Sequence, residues 1–178
     1  EYQVASHMLY EGMVEEGLAI VWGIHQRYDG VKHNPWNEVE CGDHYARALA
    51  CWGCLLGIEG YIYDGPAGKI GFGPRLNPED FKAFFTAAQG WGSLIQKRKD
   101  NTQINRIEIK WGKLRIKTLV FELPTKTKLS KAIVYVNGKL IDSDAEQQDN
   151  RVIITLTSDI IVRKGQAIQT QCLSLIHI

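Results

Sequence analysis

The chain has 178 residues, of which 44% are hydrophobic and 23% charged, and this composition excludes an intrinsically disordered chain. The length is enough for one domain with a substantial core or for two small ones. The longest nearly unbroken apolar run, residues 49–58, is about half as long as a membrane-spanning helix, so no transmembrane segment is expected. Because the first residue is Glu1 rather than Met, we expect a piece of a longer polypeptide.

The net charge of +1 conceals an uneven distribution along the chain. Residues 1–60 carry three Lys/Arg and nine Asp/Glu, whereas residues 97–140 carry twelve Lys/Arg and three Asp/Glu. A basic half can indicate a nucleic-acid-binding face. Here, however, the basic residues alternate with apolar ones in 106–110 and 113–117, which is typical of the solvent side of a half-exposed strand. We therefore predict a solvated strand face and no nucleic-acid partner.

The first 60 residues have helical periodicity. Leu18, Val21, Trp22 and His25 recur at steps of three and four, which predicts a helix from residue 1 to about 28. A second predicted helix spans about 41–60 and is apolar on most faces, as in helices buried within a larger assembly. Two helices cannot cover such a surface, so we expect helical neighbours from elsewhere in the same polypeptide.

The remainder of the chain favours strands. Gly and Pro crowd residues 64–78, and the pair Asn137-Gly138 between two short apolar runs predicts a hairpin. Strands spaced in this way predict an antiparallel sandwich. The predicted strands are 90–97, 104–111, 114–123, 134–136, 139–141, 151–156, 160–162 and 166–171.

The cysteines and histidines do not predict a metal site. Cys51 and Cys54 have the spacing of a zinc or redox pair, but no second ligand pair stands nearby and the pair lies inside a predicted helix. We interpret both as small buried packing residues. No Gly-x-Ser-x-Gly turn and no phosphate-binding loop is present, and no cofactor is expected.

The segment 34–47 reads Asn-Pro-Trp-Asn-Glu-Val-Glu-Cys-Gly-Asp-His-Tyr-Ala-Arg and concentrates polar chemistry before a predicted apolar helix. One interpretation is a capped helix with an ion pair between Asp43 and Arg47. The other starts from the cost of placing Arg47 in an apolar helix unless a fixed polar group meets it. A carboxylate and an Arg facing one cavity, with an aromatic wall, would hold the hydroxyl groups of a sugar. The residue types leave both interpretations open.

Residues 1 to about 92 resemble the C-terminal end of the catalytic domain of glycoside hydrolase family 116. This family includes the non-lysosomal glucosylceramidases and bacterial β-glucosidases. The resemblance indicates a truncated, bacterial member, and the long string at 34–47 is its most specific part. The matching stretches are 1–7, 11–17, 27–30, 34–47 and 71–76.

The resemblance implies an (α/α)6 toroid and retaining hydrolysis of β-glucosides by two carboxyl groups about 5 Å apart. In the family both groups lie upstream of this stretch, so no catalytic residue is expected in this chain. Glu38 and Arg47 match the pair that hydrogen-bonds the glucose hydroxyls far from the scissile bond. Trp36 and His44 are expected to form a wall of the site or to support it from behind. The resemblance implies neither a metal nor a cofactor.

These expectations combine into an α+β fragment with three parts. Residues 1–92 would be the last helices of the toroid, residues 93–172 an antiparallel β-sandwich-like accessory module, and residues 173–178 an artefactual tail from translated sequencing adapter. For the tail, the alternative is a last strand. The expected partners are the missing N-terminal part of the polypeptide and a β-glucoside or glucosylated lipid as substrate.

A second hypothesis assigns no catalysis to the parent protein. The chain would then be a carbohydrate-binding or interaction module that uses the same helices and adds the sandwich. Aromatic side chains exposed on one face of the sandwich would favour it, and Trp111 is the only strong candidate in the sequence.

Overall fold

The computed structural model describes residues 1–27, 31 and 47–176. The chain divides into two compact units, Glu1–Gly60 and Tyr61–Ile178, which we call the helical unit and the strand unit. Among the described residues, no helix combines the length and the apolar character needed to cross a membrane.

The helical unit contains α1 (Tyr2–Tyr10), α2 (Val14–Arg27) and α3 (Cys51–Glu59), the last preceded by a 3-10 turn, Arg47–Ala50. The prediction of one helix from residue 1 to about 28 is wrong, because the helix ends near Glu11 and restarts at Val14. Gly12 adopts φ +83°, and the amide of Met13 donates to the carbonyl of Met8 at 2.9 Å. This glycine-based helix stop occupies the left-handed conformation that other residues avoid.

The core of the helical unit is small and closely packed. In the described part of the chain Ala5, Leu9 and Cys54 form its buried cluster, and Ile24 on α2 is also buried. Gly17 on α2 lets that helix approach α1, since a Cβ atom there would lie 2.9 Å from Cγ of Leu9. Leu49 in the predicted 41–60 helix is 74% exposed in this chain, and burial of this helix by further helices of the polypeptide stays a prediction. Residues 41–46 lie outside the described residues, and the (α/α)6 toroid stays a prediction.

The strand unit is a sandwich of two sheets that share one long strand and enclose one apolar core. The larger sheet has the order β3-β4-β5-β10-β6-β7, and the smaller has the order β1-β2-β5-β9-β8. All pairs are antiparallel except β2 with β5. The strands are β1 (Ile62–Asp64), β2 (Lys69–Phe72), β3 (Asp80–Ala87), β4 (Gly90–Lys99), β5 (Thr102–Glu122), β6 (Thr127–Val136), β7 (Lys139–Ile141), β8 (Ser143–Gln148), β9 (Arg151–Arg163) and β10 (Ala167–Ile176).

The strand-rich character and the hairpin are confirmed. Asn137 and Gly138 adopt φ 49° and 80°, and Val136 pairs with Lys139 across the turn. The predicted strands 104–111 and 114–123 are one strand, β5, because Gly112 at φ +72° bends it from one sheet to the other without breaking it. The predicted strands 151–156 and 160–162 likewise form one strand, β9.

Two of the predicted divisions along the chain differ from the compact units. The strand unit begins at Tyr61, ahead of the boundary expected at 92/93, because β1, β2 and β3 pair with other strands of this unit. Whether the catalytic domain of the parent protein ends near residue 92 stays a prediction. The backbone of residues 173–176 continues β10 and pairs with β6, as in the alternative of a last strand.

A polar network runs through the inner face of the larger sheet. The buried side chains of Gln96, Gln103, Asn105 and Thr170 are joined by hydrogen bonds of 3.0–3.2 Å. The amide of Gln96 donates to the carbonyl of Pro78 at 2.7 Å, which ties the loop before β3 to the core. Each member of the network has at least one partner, as buried polar groups require.

Candidate functional site

The predicted sugar-binding segment connects α2 to α3 in the sequence. Trp36, Glu38 and His44 lie outside the described residues. Arg47 begins the 3-10 turn that leads into α3, and the described structure covers its backbone but not its side chain. The grouping of these four residues into one site therefore stays a prediction.

The cysteine pair occupies the start of α3. Cys54 is buried and its Sγ lies 3.5 Å from the carbonyl oxygen of Tyr2, and burial raises the pKa of its thiol. Cys51 is exposed, so only Cys54 packs as the sequence predicts. In the described part of the chain no group of His, Cys, Asp and Glu has the geometry to hold a metal ion.

Glu59, the last residue of α3, is a buried carboxyl group. Neither of its oxygens accepts a hydrogen bond from the described residues, and desolvation raises its pKa to about 7. Tyr10 lies near enough that Glu59 contributes, after burial, to raising the pKa of the phenol. Because Glu59 is not accessible to solvent, we assign it a role in pH-dependent stability rather than in substrate contact.

The outer face of the larger sheet carries three exposed aromatic side chains on adjacent strands. Trp91 on β4 lies directly opposite Trp111 on β5, and the two are 48% and 57% exposed. Phe84 on β3, 46% exposed, lies opposite Ser93, two positions from Trp91 on the same face of β4. We call Phe84, Trp91 and Trp111 the aromatic platform.

Glycines on β4 and β5 determine the position of the platform. A Cβ atom at Gly92 would overlap the carbonyl oxygen of Glu108, and one at Gly112 would overlap that of Gln89. The close approach of the two backbones at these points accompanies a β-bulge between Trp91 and Gly92. Bulges re-aim side chains, and this one places Trp111 beside Trp91 rather than toward the core.

A fixed group of charged side chains stands on β5 next to the platform. Nζ of Lys110 donates to Oε2 of Glu108 at 2.7 Å, and Nε of Arg106 donates to Oε1 at 2.8 Å. The hydrogen bonds from Lys110 and then from Arg106 hold the pKa of Glu108 below its ordinary value. Glu108 is therefore ionised at neutral pH, and its carboxylate orients two donors.

Sequence reasoning identified Trp111 but missed Phe84 and Trp91. Their alternation with Thr86 and Ser93 was the available signal, because period-two spacing puts such residues on one side of a strand. It could not show that the side was exposed, or that these strands were neighbours. The solvated-face interpretation of 106–110 agrees with the structure, since Ile107 and Ile109 are buried whereas the charged residues that alternate with them are partly or fully exposed.

Comparisons with known proteins give a distant likeness. No protein-family model matches the chain, and no curated protein matches it. Among solved structures, it is similar to the alpha-L-rhamnosidase from Dictyoglumus thermophilum, a glycoside hydrolase, with a TM-score of 0.38 and 16% sequence identity. The match covers 70% of this chain and 13% of that one, so the chain spans only a small part of the enzyme's length.

Proposed function

We propose that the chain is the substrate-gripping C-terminal portion of a retaining β-glucosidase or glucosylceramidase-like glycoside hydrolase. The observation that carries the proposal is the segment 34–47, in which Glu38 and Arg47 stand nine positions apart in a string specific to family 116. The two catalytic carboxylates would be supplied by the polypeptide upstream of this chain. The fragment alone is expected to be inactive.

The chemistry of the two residues suits the hydroxyl groups of a sugar. Each hydroxyl is both a donor and an acceptor, so a carboxylate and a guanidinium together satisfy both of its roles. Contacts of this kind, made far from the scissile bond, fix the sugar ring so that binding energy is available at the anomeric carbon. Trp36 would cover the C–H face of the ring, and His44 would support the polar contacts.

The exposed apolar surface of the described helices supports the proposal that further helices pack against them. The buried apolar residues in the described part of the helical unit are Ala5, Leu9, Ile24 and Cys54. Apolar side chains remain exposed on all of its helical segments, among them Val4, Trp22, Leu49 and Trp52. Further helices of the same polypeptide would cover these side chains, as the resemblance to a toroid implies. The substrate would be a β-glucoside or a glucosylated lipid.

The test uses the complete protein encoded by the reading frame that contains this chain. We expect two acidic residues in helices or loops upstream, and hydrolysis of p-nitrophenyl β-D-glucoside with retention of the β-anomer in NMR. Glu38→Gln should lower kcat/KM by about 100-fold or more, because the lost charge-assisted contacts act in the transition state. The far-UV circular dichroism should stay unchanged.

A matched control separates this effect from a general loss of charge. Glu15→Gln changes an exposed glutamate on α2 and should leave kcat/KM within about twofold. An unchanged kcat/KM in Glu38→Gln would contradict the assigned role of Glu38. A complete protein without the upstream carboxylates, or without activity on any β-glucoside, would contradict the catalytic proposal itself.

A further inference from the structure

We propose that the aromatic platform on the sandwich is a second, non-catalytic binding surface for a neutral oligosaccharide chain. It uses no residue of the segment 34–47, so it stands independently of the function proposed above. The inference starts from the register that places Trp91 opposite Trp111 with Phe84 on the next strand.

The position of these rings on the outer face requires an explanation. Large aromatic side chains contribute most when their surface is removed from water, and a sandwich has an inner face available for that purpose. Here the inner positions of the same strands hold Phe85, Leu94 and Ile107, all of which are buried. Trp91 and Trp111 are thus additional to the core, and their exposed ring surface is available to a ligand.

The platform is also held in one arrangement. Gly90, Gly92 and Gly112 bring the backbones of β4 and β5 together at contacts that no larger residue allows. The amide of Lys113 donates to the carbonyl of Gln89 at 2.9 Å and closes the end of the two strands. A rigid surface loses little conformational entropy on binding, which favours a weakly interacting ligand such as a glycan.

The spacing of the rings suits a linear chain. Adjacent strands lie about 4.8 Å apart, so Phe84, Trp91 and Trp111 extend over about 10 Å across three strands, room for about two consecutive sugar rings. Each sugar ring presents a face of C–H groups to an aromatic ring and hydroxyl groups to its sides. Beside the rings, Ser93 and the charged group of Arg106, Glu108 and Lys110 supply donors and acceptors.

The charged group also argues against other ligands. Protein interfaces are depleted of charged residues at their centres, whereas Glu108 and its two partners stand directly beside the platform. Arg106 and Lys110 are both paired with Glu108 at 2.8 and 2.7 Å, so these two cations of β5 are less available to the phosphates of a nucleic acid. Hydroxyl groups, in contrast, bind to such pairs without disrupting them.

A groove lies near the start of β4. It has a volume of about 520 Å³, and Gln89 and Lys113, which line it, are each two positions from a platform tryptophan. Tyr63 and Arg115 contribute further polar groups to its wall.

The test uses the full chain with cellohexaose, laminarihexaose and xylohexaose as probes, measured by isothermal titration calorimetry and tryptophan fluorescence. We expect at least one probe to bind. Trp91→Ala and Trp111→Ala should each weaken this binding about tenfold or more, since each removes a stacking surface. Trp91→Tyr, which retains an aromatic ring, should keep most of the affinity. The control is Trp22→Ala in the helical unit, where Trp22 is 67% exposed, and it should bind as the unchanged chain does.

Four results would overturn the proposal. None of the three probes binds to the folded chain, or a probe binds to Trp91→Ala and Trp111→Ala as tightly as to the unchanged chain. A twelve-residue oligothymidylate binds more tightly than the glycans with steep salt dependence, which assigns the platform to nucleic acid. Sedimentation shows a dimer that Trp91→Ala dissociates, which assigns it to a second copy of the chain.

Discussion

Arg98 donates a hydrogen bond from Nε to Oε1 of Gln103 at 2.7 Å, with only 13% of the arginine side chain exposed. Its Nη2 donates to the carbonyl oxygen of Glu122 at 2.9 Å. Through Gln103 the guanidinium joins the polar network of the larger sheet, which ends at Thr170 on β10. Arg98 thus connects β4, the end of β5 and, through that network, β10.

Arg98→Met should lower the free energy of unfolding by about 2–4 kcal/mol, because the acceptors on Gln103 and Glu122 lose a charged donor. Urea unfolding monitored by tryptophan fluorescence measures this change in the free energy of unfolding. The neighbouring Lys97→Met removes an exposed ion pair with Asp80 at 3.6 Å and should cost less than about 0.5 kcal/mol. Equal effects of the two substitutions would show that the network contributes no more than a surface pair.

Two glycines on α2 should respond to alanine with opposite signs. At Gly17 an added Cβ would lie 2.9 Å from Cγ of Leu9 and 3.1 Å from the carbonyl oxygen of Ala5, so Gly17→Ala should destabilise the helical unit by about 1–3 kcal/mol. At Gly23 the nearest atom is 3.8 Å away, and Gly23→Ala should stabilise the helix by about 0.5–1 kcal/mol. Thermal unfolding followed by circular dichroism at 222 nm measures the Tm of both variants. A Tm shift of the same sign at both positions would contradict the packing of α1 on α2.

The buried Glu59 should make the stability of the helical unit depend on pH. Its pKa of about 7 in the folded chain lies above the ordinary value of 4.5, so the folded state binds the proton more tightly than the unfolded state does. The contribution of Glu59 to the free energy of unfolding is therefore fully present below about pH 4.5. It is lost as the pH rises through 7, and the loss amounts to at most about 3 kcal/mol.

The pH dependence is measured as the difference in Tm between pH 5 and pH 8. Glu59→Gln should reduce this difference, because a neutral amide has no proton to lose. The exposed Glu16→Gln on α2 should leave it unchanged. A Tm difference that persists in Glu59→Gln would assign the titration to another group.

Local features were predictable where one or two residues determine the backbone. The hairpin at Asn137-Gly138 follows from two residues that tolerate positive φ. The break at Gly12 was missed because apolar periodicity continues on both sides of it. Strand β8 was missed because five of the six residues in its sequence, Ser-Asp-Ala-Glu-Gln-Gln, are polar, as the pairing of this edge strand with β9 allows.

The predicted sugar-binding segment 34–47 illustrates the other limit of sequence reasoning. Residue types and resemblance assign roles to Trp36, Glu38, His44 and Arg47, and those roles stay predictions until the complete protein is assayed. For the aromatic platform the situation is reversed. Only Trp111 stood out in the sequence, while the register of β3, β4 and β5 brought Phe84 and Trp91 beside it.

By itself the sequence determined the division into a helical and a strand-rich part, the hairpin turn and the chemistry available at each position. These are local properties, set by backbone preferences and by spacing along the chain. Only the tertiary structure decided that β5 serves both sheets, that Arg98 joins a buried network and that Trp91 faces Trp111. Strand pairing relates residues far apart in sequence, and a shift of one position would turn these side chains to the opposite face of the sheet.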